Sequence, residues 1–167
     1  MIEQFNQPIP TRKARLAAAA ILLGALMPGA AFATTAVSCA PTLVRVISQT
    51  TNTNLKTTSD AFSVVPGTTS VITTTGASSC VIVDFTGMVA LLAPGAMFLS
   101  ATLDGKVSVP DYSQVIATAG AFEARSTSFV FTGVPAGSHQ FKLLFRSSSN
   151  GVGVEINRST VAIHYTH

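Results

Sequence analysis

The stretch from Phe122 to Arg146 reads FEARSTSFVFTGVPAGSHQFKLLFR, and its reading decides the fold. Thr127, Phe129 and Phe131 fall on one side of an extended chain, opposite Ser126, Ser128 and Val130. Beyond Pro135-Ala136-Gly137, His139, Phe141, Leu143 and Phe145 alternate with Gln140, Lys142, Leu144 and Arg146. Successive side chains of a strand point to opposite faces, so a period of two on both sides of a turn predicts two strands with their apolar sides inward.

The same patterning extends in both directions. Toward the amino terminus, Cys80 to Leu92 is the most apolar segment after residue 33 and is the expected central core strand, with Gly87 predicting a bulge or bend. Met97 to Leu103 and Lys106 to Val109 flank Asp104-Gly105, a dipeptide that accepts positive φ at both positions and so predicts a type I′ hairpin. Ala61 to Val65 and Ser70 to Thr74 read as short strands around Pro66-Gly67, and Thr42 to Gln49 as another. Thr50 to Ser59 reads as a loop or weak edge strand. Toward the carboxy terminus, Asn150-Gly151 marks a turn before two strands, Val152 to Ile156 and Thr160 to Tyr165. About eight to ten short strands at this spacing predict an all-β, antiparallel, jelly-roll-like β-sandwich.

The first 33 residues follow a different rule. Arg12, Lys13 and Arg15 precede an apolar run from Leu16 to Met27, then Pro28-Gly29 and Ala31-Phe32-Ala33. That order predicts a cleaved signal peptide over 1–33, with a signal helix and scission between Ala33 and Thr34. A membrane anchor would need roughly 20 continuous apolar residues, more than this run offers. Residues 34–167 are then expected to form a single exported β-sandwich domain, secreted or periplasmic and not membrane-bound after cleavage.

Charge narrows the function classes. The chain has a sequence pI of about 9.2, but much of that belongs to the signal. After Ala33, the cations Arg45, Lys56, Lys106, Arg125, Lys142, Arg146 and Arg158 are scattered and nearly balanced by acidic residues. This excludes a nucleic-acid footprint or a polybasic lipid-binding segment.

Cys39 and Cys80 both follow the signal, an even count in a compartment where disulfides persist, so a Cys39–Cys80 bridge is the expectation. Two buried free thiols, or half a metal site, are the alternatives. His139, His164 and His167 lack ligand spacing to either cysteine, and no metal ligand set is assigned.

Catalytic signals are sparse. There is no G-x-S-x-G elbow and no G-x-x-x-x-G-K loop, and Gly151-Val152-Gly153 stands in a hairpin context, so neither catalytic nor cofactor-binding residues are assigned. His139 is expected to face the core as a hydrogen-bonded boundary residue, and His164 to face outward. Asp104 is a turn residue and Asp111 lies in a connection. Asp84 is expected on the solvent side of its strand, between Val83 and Phe85, the sharper alternative being a buried, hydrogen-bonded carboxylate. Asn157-Arg158-Ser159 matches a glycosylation acceptor, relevant only in a eukaryotic secretory host.

The segment from Val134 to Tyr165, VPAGSHQFKLLFRSSSNGVGVEINRSTVAIHY, resembles the last strands of jelly-roll modules in secreted bacterial and phage surface proteins. Pro135, Gly137, His139, Leu143, Arg146, Asn157, Arg158 and Ser159 carry the likeness. Such modules are similar to complement-like and tumour-necrosis-factor-like β-sandwiches, which often trimerise and bind molecules at a surface. Few ionisable groups and many Thr, Ser, Val and Phe residues suit a stable surface more than a reactive cleft, so the expectation is a non-enzymatic domain for binding or surface assembly, its partner a second copy of itself, as a trimer, or a cell-surface carbohydrate. The resemblance transfers no binding residue. A fimbria-like subunit assembling by strand complementation and a carbohydrate-binding module are the competing readings. For the latter, Tyr112 and Tyr165 are the only Tyr or Trp rings available as a platform.

Overall fold

The computed structural model describes Cys39 and residues 45–165. The expected signal segment, its cleavage point at Ala33–Thr34, the start of the first expected strand and His167 lie outside them. The described residues contain eleven strands and no helix. They are β1 (Arg45–Thr51), β2 (Leu55–Thr57), β3 (Ser63–Val64), β4 (Ser70–Thr74), β5 (Ser79–Leu91), β6 (Met97–Leu103), β7 (Lys106–Val107), β8 (Ser113–Val115), β9 (Glu123–Val134), β10 (Gly137–Ser147) and β11 (Val154–Tyr165). Every strand pair is antiparallel.

Two sheets pack face to face as a β-sandwich. In sheet A the order is β1-β11-β5-β9, with β2 continuing beside β11 where β1 ends. In sheet B it is β3-β10-β6-β7, with β4 also on β10 and β8 also on β6. The alternation read from the sequence sets which side faces in: Phe129 and Phe131 from β9, and Phe141, Leu143 and Phe145 from β10, are buried against Val83, Phe85 and Leu99. Each large side chain withdrawn from water contributes about 1.5–3 kcal/mol, which makes these facing surfaces the main source of cohesion.

The Asp104-Gly105 hairpin forms as expected, with φ of 50° and 80° and Leu103 opposite Lys106. Cys39 is disulfide-bonded to Cys80, with 5.7 Å between their Cα atoms.

Three expectations need correction. The two strands expected at 152–156 and 160–165 are one continuous strand, β11, because a bulge between Asn157 and Thr160 absorbs the irregularity. Arg158 takes φ of 47° there. The bulge foreshadowed by Gly87 therefore lies across from it rather than in β5: Thr86 pairs with Thr160 and Met88 with Asn157, which leaves Gly87 opposite the extra residues. The strand number also exceeds the expected range, because β2 is a strand in its own right and β8 pairs where only a connection was read.

The outer edge of β9 is not bare. Val109 and Val130 exchange both backbone hydrogen bonds (2.8 and 2.9 Å). Arg125 Nε donates to the Ile116 carbonyl at 2.7 Å, and Thr118 N–H donates to Glu123 Oε1 at 2.7 Å. The segment from Val109 to Thr118 thus meets that edge at its two ends, while β8 between them pairs with β6 of sheet B.

Candidate functional site

Three groups of side chains could carry chemistry. The first lines a cavity of about 200 Å³ between the β6–β7 turn and the β9–β10 turn, walled by Leu103, Val109 and Phe131, with Asp104, Lys106 and His139 as its ionisable groups. His139 faces the core side of β10, as its place in the alternation predicts, and is buried. Its Nδ1 lies 2.7 Å from Asp104 Oδ2, while Asp104 Oδ1 accepts the Gln140 N–H at 2.7 Å. Its Nε2 lies 2.9 Å from the Pro135 carbonyl and 3.2 Å from Thr74 Oγ1. The Thr74 hydroxyl itself donates to Pro135 O at 2.5 Å.

This Thr74–His139–Asp104 chain has the connectivity of a hydrolytic triad but the wrong hydrogens. A general base must turn a nitrogen lone pair toward the nucleophile. A carbonyl and a carboxylate can only accept, so both contacts are satisfied when the two ring nitrogens of His139 carry hydrogen, as in an imidazolium. The hydrogen bond to Asp104 raises the His139 pKa above its ordinary value, with burial opposing and the Pro135 carbonyl assisting. In turn the Gln140 N–H, and then His139, hold the Asp104 carboxyl below the usual range. The group is a clasp joining the end of β4 to two turns.

The second group lies on the outer face of sheet A. Asp84 is on the solvent side of β5, as expected, and is hydrogen-bonded there rather than buried. Ser128 Oγ donates to Asp84 Oδ1 at 2.5 Å, and His164 Nε2 lies 3.2 Å from Asp84 Oδ2. Serine and histidine both address the carboxylate rather than each other, so no base faces the hydroxyl. Around them the face carries the small hydroxyls of Ser48, Thr50, Thr86, Ser126 and Thr160, together with the exposed Val46 and the partly buried Ile82 and Val130.

The third group is on the outer face of sheet B and was not foreseen from the sequence. Arg146 on β10 is directly opposite Phe98 on β6. Its guanidinium carbon stands 4.3 Å from the Phe98 ring centroid and 5.0 Å from that of Phe62, so the ion packs against two rings. Tyr112 meets Phe98 edge to face, centroids 5.4 Å apart. Tyr112 is 52% exposed and Phe62 40%. The other candidate platform ring, Tyr165, is a core residue.

The remaining candidates fall elsewhere. Asp111 contributes its backbone carbonyl to Ser100 Oγ at 2.6 Å and lies apart from the Asp104–His139 contacts. Asn157 is half-buried inside β11 and Ser159 is buried, so the acceptor triplet is part of a central strand. Glu155, which the sequence did not single out, is buried and paired with Lys56 at 3.3 Å. Among the described residues no three His, Cys, Asp or Glu side chains gather as a metal site.

No protein-family model and no curated protein sequence matches this chain.

Proposed function

We propose that the protein is an exported, non-catalytic jelly-roll domain that works by presenting the outer face of sheet B to a ligand at a cell surface. Counting β1 with β2, β3 with β4 and β7 with β8 gives eight strand positions, ordered 1-8-3-6 and 2-7-4-5 in the two sheets. Position 1 thus lies beside 8, 2 beside 7, 3 beside 6 and 4 beside 5, the pairing of one long hairpin rolled on itself, which supports the jelly-roll topology. All eight positions are filled by the chain itself, and this weighs against assembly by strand complementation.

The observation that carries the binding reading is the contrast between the two outer faces. Sheet A presents mostly small hydroxyls, with Val46 exposed among them, whereas sheet B presents Phe62, Val64 and Tyr112 as exposed large apolar side chains near a stacked arginine, and Val71 farther along, opposite Gln140. Exposed apolar patches of this kind mark interaction sites.

Retention of the purified protein on insoluble cell-surface polysaccharide, together with its native mass by light scattering, tests the reading. Retention that falls when Phe62 and Tyr112 are both changed to Ala, in a protein that still melts cooperatively, is the expected result. Undiminished retention would remove sheet B from the account. A trimer whose mass collapses with the same substitutions would instead make a second copy the partner of this face.

A further inference from the structure

The arginine on this face is held in a way that specifies its ligand. A guanidinium has five N–H donors. The Nη1 of Arg146 reaches two backbone carbonyls, Ser147 O at 3.1 Å and Asp60 O at 3.4 Å. Its guanidinium carbon packs against the rings of Phe98 and Phe62, 4.3 and 5.0 Å from their centroids. No acceptor among the described residues meets Nε or Nη2, and the ion pairs of those residues do not include Arg146. The edge left over, Nε with Nη2, is one on which a carboxylate docks through two parallel hydrogen bonds. Because the side chain is already fixed by stacking, closing those bonds costs little further rotamer entropy.

The surroundings narrow the class further. Phe62 packs on the ion and Tyr112 on the edge of the Phe98 ring, both exposed, and the Tyr112 hydroxyl has no hydrogen-bond partner among the described residues. Rings beside a carboxylate receptor suit a molecule with apolar C–H faces and hydroxyls next to its acid. Lys142, four residues earlier on the same side of β10, adds a second cation along the strand. A sugar acid meets all of these demands. A simple inorganic anion would leave the rings without a partner.

We propose that Arg146, with Phe62, Phe98 and Tyr112, forms a binding site for the carboxylate of an acidic sugar residue. This rests on the reading of sheet B as the binding face and names what that face takes. The charge complementarity is direct: a guanidinium with no carboxylate of its own receives one from the ligand.

The test titrates the purified protein with galacturonate oligomers, and in parallel with neutral galactose oligomers and with oligoglutamate, following amide chemical shifts by NMR. Saturable shifts of Arg146, Phe98 and Tyr112 with the acidic sugar alone are expected. Arg146→Gln should weaken that binding at least about tenfold, which corresponds to ~1.4 kcal/mol. Arg146→Lys, which keeps the charge but loses the planar fork, should also weaken it. Tyr112→Ala should weaken it a few-fold without disturbing the fold, and His164→Ala, on the opposite sheet, should leave it unchanged.

Equal binding of the neutral oligomer would overturn the proposal, as would equal binding of oligoglutamate or indifference to both Arg146→Gln and Tyr112→Ala. If no acidic sugar binds while polysaccharide retention still depends on Phe62 and Tyr112, the binding face stands and the acidic sugar is wrong. If retention is also independent of them, both readings fall.

Discussion

The ring of Phe85 lies over Gly87, two residues along the same face of β5, so closely that a Cβ on Gly87 would stand 2.8 Å from Phe85 Cζ. It would also stand 3.1 Å from Ser159 Cβ, which the bulge of β11 brings to the same spot. Glycine is required there for lack of space, with no demand on its φ. Gly87→Ala should therefore destabilise the fold by about 1–3 kcal/mol, the usual cost of overpacking. Phe85→Leu in the same chain should recover part of that loss, because it removes the atom in the way. Urea midpoints of the two single variants and the double variant check this, and simple additivity would contradict the contact.

The His139–Asp104 clasp makes a pH-dependent prediction with a definite sign. Folding raises the His139 pKa above 6.5, so its contribution is complete below that value and is lost as pH climbs through the higher folded one. Folding lowers the Asp104 pKa below 3.8, so its contribution is complete above that value and is lost as pH falls through the lower folded one. The clasp is strongest between the two. His139→Gln should cost roughly 1 kcal/mol in that window, a modest figure because the Asp104 carboxylate is partly exposed and screened. The difference in Tm between wild type and variant should shrink above neutral pH. A constant difference from acid to alkaline pH would show that His139 does not act as a cation.

Removing the Cys39–Cys80 bridge should be the most damaging two-site change outside the core. It closes a loop over a sequence separation of 41 residues, which in the chain-entropy model corresponds to about 4 kcal/mol. Cys39→Ser with Cys80→Ser, and wild type under reducing conditions, should show the same fall in guanidinium midpoint. Unequal falls would point to an effect of the substitutions beyond the bond itself.

Arg146→Gln should cost about 1–2 kcal/mol of stability through loss of the two ring contacts, each worth roughly 0.5–1 kcal/mol at an exposed site. Thermal melts should keep a single cooperative transition. Loss of cooperativity would place Arg146 in the architecture itself rather than on its surface.

Much of this molecule was legible along the chain because its main signal is local. Alternation at Phe141, Leu143 and Phe145 needs no knowledge of sheet order to say which side is buried, and Asp104-Gly105 announces its hairpin with two residues. His139 could be assigned to the inner face on the same ground. What stayed hidden depends on partners far apart in sequence. The carboxylate that holds His139 is 35 positions away, and Asp104 had a sufficient local explanation as a turn residue. The Phe62–Arg146–Phe98 stack joins three segments, none with a motif. The continuity of β11 was masked because its left-handed residue is Arg158 rather than a glycine, so the break in alternation resembled two strands with a connection between them.

The tie between Val109 and Val130 has a consequence for how this domain meets other chains. An uncovered strand border is a template on which further chains can add. By tying Val109, Ile116 and Thr118 to that border, the domain occupies the backbone groups of Val130 and the side chains of Arg125 and Glu123. One flank of sheet A is thereby withheld from runaway stacking into fibrils, even as the opposite sheet keeps its rings open to solvent.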